Sequence, residues 1–196
     1  MIGPGFSLNI VKDPRRQVWV VNADPKKLDA MYNRLLGPNG DRMLPDEIKW
    51  LAVTHRSFDY GRRGHNTKLG YYGRLLLAYE VTRSILVNQS IVPEPKVDEH
   101  GRVPFEHPAL ANVDRLVAKQ PQDILDKDRV TRLATEVGLT DVVRWKPAKP
   151  ENLEGSGQSV VMTSTMYAIV GALSLHSGNQ VASQVARERI IKRLWV

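Results

Sequence analysis

One stretch of this 196-residue chain, residues 53–77, constrains the fold more than any other. It reads VTHRSFDYGRRGHNTKLGYYGRLLL, a pattern that predicts the end of a short helix, a basic loop containing glycine, and a second helix beginning near Asn66. Residues four apart share one face of a helix, so Gly70 and Arg74 are expected to lie side by side on this second helix. That face therefore presents a glycine and a permanent positive charge.

The stretch resembles the signature segment of the ribonuclease III family, which reads roughly T-H-x-S-(aromatic), a loop, and then N-E-x-L-E-F-L-G-D-x-V-L. The matching positions are Thr54, His55, Ser57, Phe58, Asn66, Leu69, Gly73 and Leu77. A second segment, VVMTSTMYAIVGALSLHSG, resembles the family's closing active-site helix, D-x-x-E-A-x-x-G-A, at Ala168, Gly171 and Ala172. The resemblance covers roughly residues 44–196, and both segments occur in the family's order.

The chain departs from the family at the four positions where the family carries its metal-binding carboxylates. These positions hold Gly70, Arg74, Ser164 and Tyr167. Magnesium requires hard oxygen ligands in a near-octahedral shell, and a two-metal nuclease uses it to stabilise the attacking and leaving oxygens. Glycine offers no ligand, and arginine places a positive charge where a cation would sit. We therefore expect no catalytic residue, no metal and no cofactor, with the four positions facing one another across two helices.

Other catalytic or metal-binding arrangements are poorly supported. None of the five histidines has a ligand spacing such as His-x-x-x-His, and His55 is expected to fix a helix end and not to act as a base. Asp59, Glu80 and Asp98 are candidate surrogate ligands, but none is paired with another acid on a common helix face. An active endoribonuclease with relocated ligands is therefore the weakest alternative.

The hydrophobic pattern predicts an all-α, ribonuclease III-type helical domain over residues 25–196, preceded by an N-terminal extended arm over residues 1–24. Helices are expected between Asp24-Pro25 and Gly37, from residue 45, and over 66–88, 108–118, 128–137 and 181–194. The helix at 66–88 is expected to bury Leu69, Tyr72, Leu76 and Tyr79. Because the last of these helices ends the chain, no double-stranded-RNA-binding domain is expected.

Composition excludes several classes of protein. The chain has no cysteine, so disulfides and thiolate metal sites are absent. No apolar run is expected to be long enough to span a bilayer, and no secretory signal is recognised, so no membrane partner is predicted. The arm is expected to pack on a neighbouring surface, because Trp19 among valines is unfavourable in water.

A net charge of +7 and a pI of about 9.7 indicate an anionic partner, most often a nucleic acid. The basic residues are spread over small clusters in the tail, the loops and the last helix, which suits contacts with the phosphates of folded RNA at several points. The predicted RNA-binding residues are Arg15, Arg16, Lys26, Lys27, Arg62, Arg63, Lys146, Lys149, Arg187, Arg189, Lys192 and Arg193.

An apolar surface is also predicted beside the signature helix. Ribonuclease III domains pair through such a surface, and here it would consist of Phe58, Tyr71, Tyr72 and Leu75. The resemblance implies that this surface docks against a second ribonuclease III-like domain. Burial of the same side chains inside the monomer is the alternative.

Degenerate ribonuclease III domains of this kind are similar to proteins of the mitochondrial large ribosomal subunit, especially those of fungi. The resemblance implies a structural constituent of the ribosome that binds ribosomal RNA and neighbouring proteins, with no small-molecule substrate and a mitochondrial location. The alternative is a non-catalytic partner subunit of an RNA-processing complex. Ribosome co-sedimentation separates these two functions, and cleavage of duplex RNA would identify an active enzyme.

Overall fold

The computed structural model describes residues 19–59, 61–88, 97–103, 105, 107–110 and 112–195, and over these residues the protein is helical with no β-strand. The first three helices are α1 (Pro25–Leu36), α2 (Asp46–Ala52) and α3 (Thr67–Val87), and the next three are α4 (Arg115–Ala118), α5 (Pro121–Ile124) and α6 (Lys127–Glu136). The last three are α7 (Gln158–Ser177), α8 (Asn179–Val185) and α9 (Lys192–Leu194). Short 3-10 turns lie at Gly40–Arg42, Pro108–Leu110 and Leu139–Asp141. The predicted all-α fold is confirmed.

The boundaries of α1 follow from its sequence. The Asp24 side chain accepts a hydrogen bond from the Lys26 amide at 2.9 Å, and Pro25 occupies the first turn, where its missing N–H is not needed. Gly37 ends the helix with a φ of 101°, which glycine adopts without strain. Leu28, Met31, Tyr32 and Leu35 are buried, so α1 is part of the core.

Helices α3 and α7 form the most extensive contact of the domain, and glycines bring their backbones together. A methyl group placed on Gly73 would overlap the carbonyl oxygen of Tyr167, and one on Gly171 would overlap the carbonyl oxygen of Leu69. One on Gly70 would lie 3.0 Å from the carbonyl oxygen of Ser164. Gly70 therefore lies where another segment approaches closely, as the unfavourable helix propensity of glycine suggests.

Helix α7 corrects the prediction that no apolar run is long enough to span a bilayer. It has 20 residues, with a mean hydropathy of 1.3 over an 18-residue window, and by length and composition alone the helix could cross a membrane. In the fold, 61% of that window is buried inside the domain. The apolar character of α7 is that of a core helix, which contacts α3, α6 and α8.

The C-terminal helix is continuous over residues 179–194 but is not regular. Between α8 and α9 lies a π-helical segment, Ala186–Ile191, whose extra residue per turn changes the helix register. Arg187 in this segment donates to the carboxylate of Glu80 on α3 at 2.8 Å, and the Glu80 side chain is only 2% exposed. The prediction of a helix over 181–194 was correct in position, but it gave no sign of this segment.

One other prediction needs correction, and the predicted arm is described only in part. The helix predicted over residues 108–118 is a 3-10 turn followed by the short α4, because hydrogen bonds such as Val113 N–H to the Leu110 carbonyl (2.8 Å) join residues three apart. Of the predicted arm, residues 1–18 lie outside the described residues. Residues 19–24 have no regular secondary structure, and Trp19 packs edge to face on Trp145 of the same chain, with ring centroids 6.5 Å apart.

Candidate functional site

The loop that follows α2 is held by backbone hydrogen bonds to a distant segment. His55 N–H donates to the Arg144 carbonyl and Arg144 N–H donates to the Val53 carbonyl, both at 2.8 Å. The buried Asn66 side chain donates to the carbonyl of Ala52 at 2.9 Å, and lies 3.3 Å from the Thr165 hydroxyl of α7. Asn66 therefore joins the end of α2, the start of α3 and the middle of α7.

The His55 side chain makes its contacts within the loop after α2 and not with the helix end that was predicted. Its Nδ1 lies 2.9 Å from the Ser57 hydroxyl and accepts a hydrogen bond from the Ser57 amide at 3.3 Å. The same hydroxyl accepts from the Lys146 amide at 3.0 Å, which connects this loop to the segment after Trp145. Burial lowers the pKa of His55, and the nearby charges of Arg56 and His65 lower it further, so the imidazole is neutral at pH 7.

The four positions predicted to depart from the family lie together, as expected. Gly70 and Arg74 on α3 and Ser164 and Tyr167 on α7 line a single cavity of ≈ 490 Å³. Burial raises the pKa of the Tyr167 hydroxyl, and the Arg74 charge acts in the opposite direction. The Ser164 hydroxyl already has a hydrogen-bond partner within α7, because it donates to the carbonyl of Val161 at 3.0 Å. The donor set does not fit magnesium, which needs several carboxylate or carbonyl oxygens.

The described part of the chain also has no group of three or more histidine, aspartate or glutamate side chains placed to bind a metal ion elsewhere. The three candidate surrogate ligands have other partners. Asp59 pairs with Arg63 at 3.1 Å, Asp98 hydrogen-bonds to Arg102, and Glu80 pairs with Arg187.

The aromatic side chains of α3 differ from the prediction. Tyr79, predicted to be buried, is 62% exposed, and with Tyr71 (70%) and Leu75 (54%) it forms an exposed row at spacings of four residues. We call these three side chains the α3 stripe. Tyr72, also predicted to be buried, is 37% exposed and its hydroxyl lies 3.1 Å from that of Ser174. Burial was overestimated because α3 has apolar residues on more than the face that contacts α7.

Phe58 lies beside Arg144, a residue that the sequence gave no reason to select. The Arg144 guanidinium stacks over the Trp50 ring at 3.8 Å and lies 5.9 Å from the centre of the Phe58 ring. Its Nε also donates to the carbonyl of Asn22 at 3.2 Å. Partial burial, with the charge of Arg63, lowers the pKa of Arg144. These contacts anchor residues 19–24 to the loop after α2.

The structure places the predicted RNA-binding residues in different environments. Arg15 and Arg16 lie outside the described residues, whereas the side chains exposed to solvent are Lys26, Lys27, Arg62, Arg63, Lys149, Lys192 and Arg193. Lys146 and Arg189 are half-buried, and the Arg189 guanidinium packs over Gly37. Arg187 has a structural role, since it neutralises the buried Glu80. Sequence spacing alone could not separate this arginine from the others.

The chain belongs to the ribonuclease-III-like family, whose domain matches residues 45–194. It is 57% identical to large ribosomal subunit protein mL57 of Neurospora crassa over 194 residues, a match that covers 99% of this chain and 72% of that protein. Ribonuclease 3 of Mycobacterium leprae is 26% identical over 146 residues, which cover 72% of this chain and 53% of that protein. The family predicted from residues 53–77 is thus confirmed.

Solved structures support the same fold. The nuclease domain of ribonuclease III from Campylobacter jejuni superposes with a TM-score of 0.57 at 18% identity, covering 87% of this chain and 96% of that one. A second structure of this nuclease domain, described for flexibility in a region involved in dimer formation, has a TM-score of 0.57 at 17% identity. It covers 88% of this chain and all of that one. At these identities the likeness concerns the fold alone.

Proposed function

We propose that this protein is a structural constituent of the mitochondrial large ribosomal subunit, in which a ribonuclease III fold serves as a binding module. The observation that carries this function is the 57% identity, over nearly the whole chain, to a large-subunit ribosomal protein. The net charge of +7 is consistent with an environment rich in RNA.

The protein acts without cleaving RNA. This inference rests on Gly70, Arg74, Ser164 and Tyr167, which line one cavity, match the family's metal-binding positions by sequence resemblance, and together supply no carboxylate. The purified chain should therefore leave duplex RNA intact in magnesium. Introducing carboxylates on α3 alone, with Gly70→Glu and Arg74→Asp, should not create activity, because the positions on α7 still lack acids. Specific magnesium-dependent cleavage by the wild-type chain would contradict the inference.

The exposed lysines and arginines are proposed to contact ribosomal RNA through its phosphates. Lys26 and Lys27 lie in the first turn of α1, and Lys192 and Arg193 lie in the last turn of the C-terminal helix. Arg62 and Lys149 are exposed in the loops that precede α3 and α7. Such contacts position a protein on folded RNA without reading its sequence.

The ribosomal role is tested by sedimentation of a tagged, full-length chain from a mitochondrial lysate. We expect the protein to migrate with the large subunit at moderate salt and to stay bound when the small subunit is removed. Migration in a smaller complex that contains an active ribonuclease would instead favour the non-catalytic partner function. Migration as free protein would contradict both functions.

A second ribonuclease III-like domain is the proposed neighbour of the α3 stripe. Three large side chains, Tyr71, Leu75 and Tyr79, are each more than half exposed on one helix face, and tyrosines are enriched at the centres of stable interfaces. The nuclease domain of the Campylobacter protein has a region involved in dimer formation. Phe58 and Tyr72 would lie at the margin, because both already have contacts inside the domain.

Charged substitutions in the α3 stripe should prevent assembly while leaving the monomer folded. For the double variant that carries both Leu75→Glu and Tyr79→Glu, we expect incorporation into the large subunit to fall on the order of tenfold. The reason is that two large interface side chains would be replaced by desolvated charges. Val117→Glu is the matched control, because Val117 is a 71% exposed apolar residue on α4. Equal incorporation of the wild type, the double variant and the Val117→Glu control, with unchanged thermal unfolding, would show that the pairing surface lies elsewhere.

A further inference from the structure

The cavity between α3 and α7 has a strongly one-sided charge. Three side chains that are cationic at pH 7 line it, namely Arg56 from the loop after α2, Arg74 from α3 and Lys127 from the first turn of α6. His55 lines it as well. None of the described residues that line the cavity is an aspartate or a glutamate. The cavity therefore favours an anion, whereas the corresponding position in a nuclease would hold cations.

These three cations form no ion pair with an aspartate or a glutamate in the described part of the chain. Arg63, Arg102 and Arg187 each form an ion pair, with Asp59, Asp98 and Glu80 respectively. Arg56, Arg74 and Lys127 come from three different elements and converge on one opening without such a pair. Like charges that share a cleft repel one another, so an anion placed among them would relieve this repulsion.

The walls of the cavity strengthen this preference. Apolar residues, including Leu125 and Val160, contribute to the lining, so a charge inside is less screened than one on an open surface.

The size and the aromatic lining indicate what kind of anion fits. A volume of ≈ 490 Å³ lies within the range of small-molecule sites, on the order of 300–1,000 Å³, and exceeds what a simple inorganic ion needs. Tyr71 and Tyr167 both line the cavity, and tyrosine rings offer stacking surfaces for a base or a ribose. Arginine and lysine are the side chains that most often bind phosphate.

We propose that this cavity binds a phosphate group of RNA or of a free nucleotide without a metal ion, with Arg56, Arg74 and Lys127 as the cationic contacts. Because the cations of the protein supply the positive charge, magnesium has no role in this binding. The proposal goes beyond the ribosomal function and does not depend on it, since the site belongs to the isolated chain.

The test is a fluorescence-anisotropy titration of the purified, full-length chain with a labelled, short single-stranded RNA that carries a 5′-phosphate, in the presence of EDTA. We expect saturable binding that added magnesium does not improve. Arg74→Gln and Lys127→Gln should each weaken it about tenfold, which corresponds to losing one charge-assisted contact. Arg83→Gln is the matched control, because Arg83 is an exposed arginine on the same helix outside the cavity. The affinity of the Arg83→Gln variant for the labelled RNA should equal that of the wild type.

Competition identifies the source of the phosphate. Displacement of the label by AMP or by inorganic phosphate assigns the site to a terminal or free phosphate, whereas displacement only by unphosphorylated RNA assigns it to the phosphodiester chain. Either result supports the proposal. It is overturned if no probe binds in EDTA, or if Arg74→Gln and Lys127→Gln bind as tightly as Arg83→Gln. These results leave the ribosomal function untouched, because co-sedimentation with the large subunit is measured separately.

Discussion

Replacing Gly73 by alanine should destabilise the domain more than any other single methyl group added to α3. The new methyl would overlap the carbonyl oxygen of Tyr167 and lie 2.8 Å from the amide nitrogen of Gly171, and both are backbone atoms that cannot rotate away. Overpacking in a close-packed core costs roughly 1–3 kcal/mol when side chains can adjust. We therefore expect a loss of about 3 kcal/mol or more in the free energy of unfolding, measured by urea denaturation.

Gly70→Ala is the matched control for this substitution. Its methyl would lie 3.0 Å from the Ser164 carbonyl oxygen, so a small shift of the two helices is enough to accommodate it. Alanine also favours the helix by about 1 kcal/mol relative to glycine, which offsets the cost of the shift. The net change for Gly70→Ala should therefore be small. Equal stability of the two variants would mean that α3 and α7 are not held at the spacing described here.

The second large effect is expected where α3 meets the π-helical segment. Arg187→Met would leave the carboxylate of Glu80, only 2% exposed, without its counter-charge. Removing one partner of a buried ion pair typically costs about 3–5 kcal/mol. We expect a loss near the lower end of this range for Arg187→Met, because its guanidinium is itself 39% exposed and the pair is partly screened. Urea denaturation at pH 7 measures it.

The ion pair between Arg63 and Asp59 provides the control. Its nitrogen and oxygen lie 3.1 Å apart, but the Arg63 side chain is 71% exposed, so Arg63→Met should change the free energy of unfolding by less than about 1 kcal/mol. Glu80→Gln should cost less than Arg187→Met, since the remaining arginine can still reach water. If Arg187→Met and Arg63→Met were equally stable, the Glu80 pair would not support the packing of the last helix.

The features that could be predicted from the sequence are those that depend on residues close together in the chain. The start of α1 at Asp24-Pro25 and its end at Gly37 depend on the chemistry of neighbouring residues, and both agree with the structure. The grouping of Gly70 and Arg74 with Ser164 and Tyr167 was also predicted, because a family motif fixes the order and spacing of the two helices. Periodicity alone would not have paired residues nearly a hundred positions apart.

The features that were missed depend on contacts between distant segments. Tyr79 is exposed although it is apolar, because the neighbours of α3 cover only some of its faces. Arg144 stacks over Trp50 only because a backbone bridge brings their segments together. Likewise, Lys127 and Arg56 join the cavity through the placement of α6 and of the loop after α2. No spacing rule along the chain contains this information.

The glycine contact between α3 and α7 separates the shape of this fold from its chemistry. The distance between the two helices is set by backbone atoms at Gly73, Gly171 and their partners, and not by the side chains that point into the cavity. Changes of the side chains at positions 74 and 167 therefore leave the spacing of α3 and α7 intact. In a domain built in this way the residues that line the cavity, and with them its chemistry, can change during evolution while the fold is retained.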